Sequence, residues 1–168
     1  MRVLVTGSAG QLGTDVVLAC EAAGDEVIGL SRAELDISDL GAVRRVVDEV
    51  RPDAIINCAA WTAVDGCEAD PERADRINHQ GVGYLAEASA AVGAHLVQVS
   101  TDYVFDGTKS SAYTERDTPN PQSVYGATKL AGERAAGPDA TVVRTSWMCS
   151  AHGGNMVATI LRLAGAHD

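Results

Sequence analysis

The sequence predicts a doubly wound α/β fold, in which an open parallel sheet carries helices on both faces. Three observations predict it: short runs of apolar, β-branched residues alternate with stretches of helical periodicity, a glycine-rich turn follows the first run, and 46% of the 168 residues are hydrophobic. That length can bury the core of one domain, so we treat residues 1–168 as a single unit. The β-α-β order predicts right-handed crossovers.

Five short segments are predicted strands of the buried parallel kind. The first has the sequence RVLVT, and the others share its content of Val, Ile or Leu. Strands covered by helices on both faces are apolar along their length rather than alternating. The predicted strands cover residues 2–6, 26–30, 54–57, 95–100 and 141–144.

The segments between the strands are mostly predicted helices, and several carry boundary signals. Ser38 is expected to cap the second helix, which should end before Pro52 because a residue preceding proline avoids the helical region. Asp70 is expected to cap the third, with Pro71 at its first position. Residues 101–123 form one long irregular stretch, of a length that is usually functional or disordered. The predicted helices cover residues 11–23, 39–50, 71–91, 124–136 and 155–166.

The charge balance and the cysteines limit the partners and the compartment. The 13 Lys and Arg residues against 23 Asp and Glu give a net charge of −10. An acidic surface argues against nucleic acid, whose phosphates need a basic footprint. Arg2 is followed at once by a strand rather than by an apolar leader, and no apolar run reaches the roughly 20 residues of a membrane span. We expect a cytoplasmic protein with no membrane partner and with reduced, mostly buried thiols. The thiols are Cys20, Cys58, Cys67 and Cys149.

The first chemical motif is the glycine-rich turn TGSAGQLG at residues 6–13. Glycine allows a tight turn and the close approach of a pyrophosphate, and the following helix N-terminus offers unpaired N–H groups to the anion. A turn of this kind can also serve only to pack a strand against a helix. Because it opens a β-α-β unit at the start of the chain, we predict a nucleotide site of the Rossmann-like type.

Tyr125 and Lys129 form the second motif. Four residues apart on a predicted helix, they share one face about one turn apart. A lysine charge favours tyrosinate, which would bring the pKa of Tyr125 nearer to working pH and suit it to proton transfer. The alternative is an exposed pair without a role. The upstream glycine turn favours the catalytic interpretation.

The third motif is STDYVFDG at residues 100–107, at the end of the fourth predicted strand. The Thr101 hydroxyl could hydrogen-bond a substrate carbonyl beside Tyr125 and stabilise the developing alkoxide. Strand ends also carry Ser or Thr simply to turn the chain. With the Tyr125–Lys129 pair downstream, we predict that Thr101 is catalytic.

The order of these motifs resembles that of the extended short-chain dehydrogenases/reductases. Besides the three motifs, the resemblance rests on NCAA at 57–60, AWTAVDGCE at 60–68 and RTSW at 144–147. Within that family the chain is most similar to the dTDP-4-dehydrorhamnose reductases, from residue 1 to about residue 164. The resemblance implies an NAD(P)H-dependent oxidoreductase that reduces the 4-keto group of a dTDP-deoxysugar, converting dTDP-4-dehydrorhamnose to dTDP-L-rhamnose.

The resemblance also implies roles for individual residues. Tyr125 would protonate the new alkoxide, Lys129 would hold the nicotinamide ribose and tune Tyr125, and Thr101 would orient the carbonyl. Asn78 fits the family's helix asparagine, although a lone polar residue on a helix is more often solvated. The cofactor would be bound by Gly7, Gly10, Gln11, Leu12, Gly13, Arg32, Asp36, Ile37, Asn57, Ala59, Ala60 and Lys129. The nucleotide-sugar substrate would be bound by Thr62, Asp102, Tyr103 and Trp147.

The choice of cofactor depends on the end of the second strand. An NAD-specific site usually places an acid there for the ribose 2′-hydroxyl. Here Arg32 follows the strand and could pair with a 2′-phosphate, or be a plain surface arginine. Asp36 lies where the family meets adenine, but an Asp ahead of a Ser cap is also ordinary turn chemistry. We expect NADPH, with NADH as the alternative, and no metal, because the histidines lack ligand spacing. They are His79, His95, His152 and His167.

Members of the family are considerably longer, and the C-terminal substrate lobe that they carry is lacking in residues 1–168. Three interpretations follow: a reductase fragment that keeps the cofactor site, a short reductase completed by a homo-oligomer that covers the open sheet edge, or a nucleotide-binding or partner-binding module with little or no activity. The intact Thr101, Tyr125 and Lys129 argue against the third.

Overall fold

A computed structural model describes residues 1–165 of the chain. Five parallel strands form one sheet in the order β2-β1-β3-β4-β5. The strands are β1 (Arg2–Thr6), β2 (Glu26–Leu30), β3 (Ala54–Asn57), β4 (His95–Thr101) and β5 (Thr141–Thr145). The helices are α1 (Gln11–Ala22), α2 (Leu40–Val50), α3 (Val64–Ala69), α4 (Pro71–Asp75), α5 (Gly81–Val92), α6 (Val124–Ala136) and α7 (Met156–Ala164). The predicted doubly wound, Rossmann-like sheet is confirmed.

Alternation along β1 directs its side chains to helices on opposite faces of the sheet. Leu4 is fully buried in the core cluster that includes Val43 of α2. The next residue, Val5, pairs with Gly29 of β2, and a Cβ on Gly29 would lie 3.1 Å from Cγ2 of Val17 in α1. Helices α1 and α2 therefore cover different faces, and the carboxyl ends of the strands stay open for a ligand.

The predicted cap of the second helix is wrong by one residue. Asp39 caps α2, its Oδ1 accepting a hydrogen bond from the Ala42 N–H at 3.0 Å. Ser38 instead donates to Oδ1 of Asp36 from both its N–H, at 3.0 Å, and its hydroxyl, at 2.7 Å. Ser38, Asp36 and Asp39 can all form local hydrogen bonds of this kind. The residue types alone therefore do not show which of them caps the helix and which belongs to the preceding turn.

The single helix predicted over residues 71–91 is divided in the structure. Asp70 caps α4, with Pro71 at its first position, as predicted. A π-helical turn, Arg76–Gln80, then joins α4 to α5. The short helix α3 was not predicted. A single five-residue π-turn is too short to show a period of its own, so the apolar pattern does not locate it.

The long segment after β4 is held by contacts of its own. It begins with a 3₁₀ turn, Asp102–Val104. The Asp106 carboxylate then accepts hydrogen bonds from the Thr108 N–H at 3.0 Å, the Tyr113 hydroxyl at 2.9 Å and the Asn120 side-chain amide at 3.0 Å. These donors hold the pKa of Asp106 far below its usual range, the backbone N–H of Thr108 contributing most. The predicted irregular stretch is therefore an ordered loop.

The side of the molecule formed by β5 and α7 is apolar and exposed. Val142 and Val143 of the edge strand are 36% and 40% exposed. Helix α7 buries none of its residues, and the last predicted helical position, Ala166, lies outside the described residues. Among the described residues, no helix has both the length and the apolar character required to cross a membrane. The exposed apolar side chains of α7 are Met156, Val157, Ile160, Leu161 and Leu163.

Candidate active site

Two adjoining cavities lie at the carboxyl ends of the strands. The smaller has a volume of about 240 Å³ and the larger about 480 Å³. Both are lined by Gly10, Cys58 and Ala60, so they form one continuous cleft beside the glycine turn. We call them the glycine-turn cavity and the tyrosine cavity. The glycine-turn cavity is lined by Gly7, Ala9, Gly10, Arg32, Leu35, Asp36, Ile37, Cys58, Ala59, Ala60, Trp61 and Ile77.

The glycine turn is fixed by two close backbone approaches. Gly7 has φ of +68°, and a Cβ on it would lie 2.7 Å from the Ala59 nitrogen. A Cβ on Gly13 would lie 2.2 Å from the Gly7 carbonyl oxygen. Gly10, at the cap of α1, has no side chain to satisfy the N–H groups of the first helical turn. The turn therefore suits a bound anion such as a pyrophosphate.

The glycine-turn cavity offers one cation and one fixed carboxylate. Arg32 lines it and, among the described residues, forms no ion pair. Asp36 also lines it, and the hydrogen bonds from Ser38 lower the pKa of its carboxyl. Asp36 is thus both a turn residue and a cavity residue. An arginine without a carboxylate partner can pair with a phosphate group of a ligand.

Asn57 supports the cavity wall from below and lines neither cavity. It is fully buried, and its Oδ1 accepts from the Thr6 hydroxyl at 2.6 Å and from the Ala59 N–H at 3.1 Å. Its amide donates to Oε1 of Gln98 at 2.7 Å, and Gln98 in turn donates to the Val99 carbonyl at 2.6 Å. This chain of hydrogen bonds links the end of β1 to the end of β4.

Tyr125 and Lys129 of α6 line the tyrosine cavity, and the glycine turn lines the same cavity. Their exposed fractions are only 8% and 4%. Residues Gly10, Gln11, Leu12 and Gly13 line the same cavity. The predicted grouping of the phenol, the ammonium and the glycine turn is therefore present in the fold. Ser123 caps α6, its hydroxyl accepting from the Gly126 N–H at 3.1 Å, which sets where the helix begins.

The expected tuning of Tyr125 by Lys129 does not occur in this structure. The Lys129 Nζ donates to the Val99 carbonyl oxygen at 2.7 Å. Burial lowers the pKa of Lys129 to about 8, although Glu133 opposes the shift. Burial also raises the pKa of Tyr125, an effect that the hydrogen-bonding hydroxyl of Thr101 partly offsets. Desolvation is therefore the largest influence on the pKa of the phenol, and Lys129 is not among the groups that shift it.

The Thr101 hydroxyl lies at the junction of β4 and the 3₁₀ turn. It accepts from the Tyr103 N–H at 3.2 Å and donates to Oδ1 of Asp102 at 3.1 Å. The other carboxylate oxygen of Asp102 accepts from the Ser146 hydroxyl at 2.7 Å. The Tyr103 ring meets the Tyr125 ring edge-on, with centroids 5.5 Å apart. These contacts join the ends of β4 and β5 to helix α6.

The residues predicted to bind substrate form the outer wall of the tyrosine cavity. Thr62, Asp102, Tyr103 and Trp147 all line it. Trp147 is 76% exposed and has a left-handed backbone with φ of +53°. An exposed aromatic ring beside a cleft can pack on a ligand.

Comparison with known proteins decides the family. The family model described as "RmlD substrate binding domain" matches residues 1–168. The chain belongs to the RmlD substrate binding domain family. It is 47% identical to a dTDP-4-dehydrorhamnose reductase of Streptomyces griseus over 171 residues, which is 99% of this chain and 56% of the relative. The chain therefore spans just over half the length of this relative, and the predicted resemblance is confirmed.

Solved structures of relatives have the same fold. A dTDP-4-dehydrorhamnose reductase from Clostridium acetobutylicum superposes with a TM-score of 0.96 at 44% identity, covering 100% of this chain and 61% of that chain. A dTDP-4-dehydrorhamnose reductase from Bacillus anthracis, solved in complex with NADP, gives 0.95 at 39% identity, covering 99% and 61%. The RmlD-family fold is thus present across the described part of this chain.

Asn78 is a structural centre of this RmlD-family site rather than a solvated helix residue. It lies in the π-helical turn, 1% exposed. Its Oδ1 accepts from the Trp61 N–H at 2.8 Å, and its amide donates to the Trp61 carbonyl at 3.0 Å and to the Thr128 hydroxyl at 3.3 Å. Asn78 therefore ties the wall of the cleft to the helix of Tyr125 and Lys129.

Two residues of the site were missed in the sequence. Ser146 lines the tyrosine cavity and donates a hydrogen bond to Asp102, and its signal was the RTSW stretch at the end of β5. Gln98 is 1% exposed and belongs to the buried chain of hydrogen bonds. Its signal was an isolated amide inside the apolar strand HLVQVS.

The remaining chemistry-bearing residues lie away from a common centre. Within residues 1–165, no three His, Cys, Asp or Glu side chains are grouped to hold a metal ion. His167 lies outside the described residues. The four cysteines form no disulfide, but only Cys67 is buried and Cys149 is exposed, so the expectation of mostly buried thiols is wrong. Burial raises the pKa of Cys58 to about 11, which keeps that thiol protonated.

Proposed function

We propose that this chain binds NADPH and carries the chemistry that reduces the 4-keto group of a dTDP-deoxysugar, dTDP-4-dehydrorhamnose to dTDP-L-rhamnose. The observation that carries the proposal is that Tyr125, Lys129 and Thr101 line one cavity with the glycine turn. The relatives named dTDP-4-dehydrorhamnose reductase, one of them in complex with NADP, support the choice of substrate and cofactor.

The residues of the cleft fit a dinucleotide. The uncapped N-terminus of α1 and the backbone of Gly7 suit the pyrophosphate, because only glycine tolerates the backbone contacts found there. Arg32 would pair with the 2′-phosphate, and Lys129 would hold the nicotinamide ribose. NADPH is therefore the proposed cofactor, with NADH as the alternative. The adenosine half would lie against Asp36, Ile37, Ala59 and Ala60, above Asn57.

The reaction requires one hydride and one proton. NADPH, when bound, supplies the hydride to the keto carbon. Tyr125 donates its phenolic proton to the oxygen, so that the ketone becomes an alcohol. Burial raises the pKa of Tyr125, so the phenol is protonated at neutral pH and ready to donate. The Thr101 hydroxyl, fixed by the Tyr103 N–H, would hydrogen-bond the same oxygen and stabilise its developing charge.

The sugar nucleotide would occupy the solvent side of the tyrosine cavity, against Thr62, Asp102, Tyr103 and Trp147. A location in the cytoplasm is part of the proposal. The exposed edge of β5 leaves Val142 and Val143 uncovered, so association of copies through this edge is part of the proposal. Measuring the solution mass of the chain tests that part.

Two measurements test the proposed function. Titration with NADPH should give saturable binding, and the absence of binding at about millimolar cofactor would refute the cofactor site. Adding dTDP-4-dehydrorhamnose should then cause NADPH oxidation with formation of dTDP-L-rhamnose. Binding of NADPH without oxidation would instead make the chain a nucleotide-binding module.

A further inference from the structure

The residue that follows Tyr125 on α6 makes an unusually close backbone contact. A Cβ on Gly126 would lie 2.2 Å from the Tyr103 carbonyl oxygen and 3.1 Å from the Cβ of Pro121. Real Cβ atoms do not approach backbone oxygens within 3.0 Å. The helix and the Asp102–Val104 turn therefore touch through their backbones, and only glycine permits that spacing.

The turn that rests on Gly126 carries the sugar side of the cavity. The Tyr103 N–H donates to the Thr101 hydroxyl, and the Tyr103 ring packs edge-on against Tyr125. On its other side the turn is fixed by Val104, which is fully buried and whose carbonyl accepts from the Asn120 N–H at 2.9 Å. The depth of the turn on α6 thus sets the spacing between the Tyr125 phenol and Thr101.

We propose that Gly126 is a positioning residue, which sets the distance between Tyr125 and the Thr101–Tyr103 segment by letting the turn lie directly on the helix backbone. The inference depends on the proposed function for the identity of the sugar nucleotide that this segment meets. A displacement of about 1 Å in such a segment can cost about 10²-fold in rate.

The contact concerns the sugar side and not the cofactor side. Lys129 is anchored on the Val99 carbonyl, and the glycine turn is packed on Ala59 and on its own backbone. None of these contacts includes Gly126. A methyl group at 126 should therefore disturb sugar binding while leaving NADPH binding nearly unchanged.

The test compares Gly126→Ala with Gly83→Ala. Gly83 lies within α5, where a Cβ would meet only the Cβ of Ala135 at an ordinary 3.7 Å. Both substitutions add one methyl group to a helix, and only the one at Gly126 meets a backbone oxygen. Amide NMR spectra of the ligand-free proteins should show shifts at residues 101–104 in Gly126→Ala and none there in Gly83→Ala. Residues 7–13 should be unchanged in both.

Calorimetric titration supplies the functional arm. For Gly126→Ala we expect at least about a 10-fold loss of affinity for dTDP-L-rhamnose, with NADPH affinity within about 3-fold of the parent chain. Should Gly126→Ala fail to fold, Val104→Ala loosens the same turn without a clash and should give the same selective loss.

Three results would overturn the inference: unshifted amides at 101–104, unchanged sugar-nucleotide affinity in a folded variant of this turn, or equal losses for sugar nucleotide and NADPH. If the parent chain itself binds no dTDP-L-rhamnose, the proposed substrate is wrong, while the ligand-free spectra still decide whether Gly126 positions the turn.

Discussion

The ammonium group of Lys129 donates a hydrogen bond to the carbonyl oxygen of Val99, with 2.7 Å between Nζ and O. The same oxygen accepts from the Gln98 amide at 2.6 Å. This carbonyl holds a buried charge on the wall of the tyrosine cavity, beside the glycine turn. In the proposed function, Lys129 would exchange this backbone partner for a ribose hydroxyl of the bound dinucleotide.

Replacing Lys129 by Met should stabilise the fold at neutral pH. Because burial lowers the pKa of Lys129 from 10.5 to about 8, the folded chain binds fewer protons than the unfolded chain between those values. Stability attributable to Lys129 therefore rises with pH across this window, and below it the buried charge is a cost of up to about 3 kcal/mol. Urea unfolding should show a higher free energy of unfolding for the Met variant at pH 7, and the difference between the two proteins should decrease towards pH 10. A difference in the free energy of unfolding that stays constant with pH would contradict the lowered pKa of Lys129.

Tyr125→Phe should remove most of the reductase activity and spare cofactor binding. The phenylalanine ring keeps the packing against Tyr103 and Cys67, while the proton donor is lost. General acid catalysis typically contributes about 10²–10⁴-fold, so kcat should fall by that order. The Kd for NADPH, measured by titration, serves as the control and should hardly change. Equal activity in the two proteins would exclude Tyr125 as the proton donor.

The fold was predictable because each strand is an apolar run in the sequence, and because the carboxyl ends of parallel strands lie at the same edge of the sheet. The glycine turn, Thr101 and Tyr125 follow separate predicted elements, and the topology alone brings them together. Features that depend on one residue of register were not predictable. Asp39 rather than Ser38 caps α2, and the π-turn of Arg76–Gln80 is too short for the apolar pattern to locate it.

The burial and the hydrogen-bond partners of individual side chains were also not predictable from the sequence. The spacing of Tyr125 and Lys129 predicts their shared face but not their burial, and burial reverses the expected shift in the pKa of Tyr125. The role of Asn78 was hidden for the same reason, since its partners on Trp61 and Thr128 are distant in the chain. Desolvation and long-range hydrogen bonds are properties of the packed molecule.

Gly13→Ala should remove NADPH binding and weaken the fold. A Cβ there would lie 2.2 Å from the Gly7 carbonyl oxygen, so the turn and α1 would have to separate. Such overpacking typically costs about 1–3 kcal/mol, measurable as a lower urea midpoint. Gly10→Ala is the graded comparison, because its Cβ would lie 3.2 Å from the same oxygen, and it should be milder. If the Gly13→Ala protein bound NADPH as well as the parent does, the turn would be only a packing device.

Arg32→Ser should erase the preference for NADPH over NADH. Arg32 lines the glycine-turn cavity, and a charge-assisted hydrogen bond to the 2′-phosphate is worth about 1.5–3 kcal/mol, or roughly 10- to 100-fold in affinity. NADH lacks that phosphate, so its Kd should not change. Arg45→Ser is the matched control, an exposed arginine outside the cleft that removes the same charge. Because the lost interaction is electrostatic, the difference between NADPH and NADH in the parent chain should also shrink as salt is raised. Equal losses for both cofactors in Arg32→Ser would mean that the arginine supports the cavity wall and does not recognise the phosphate.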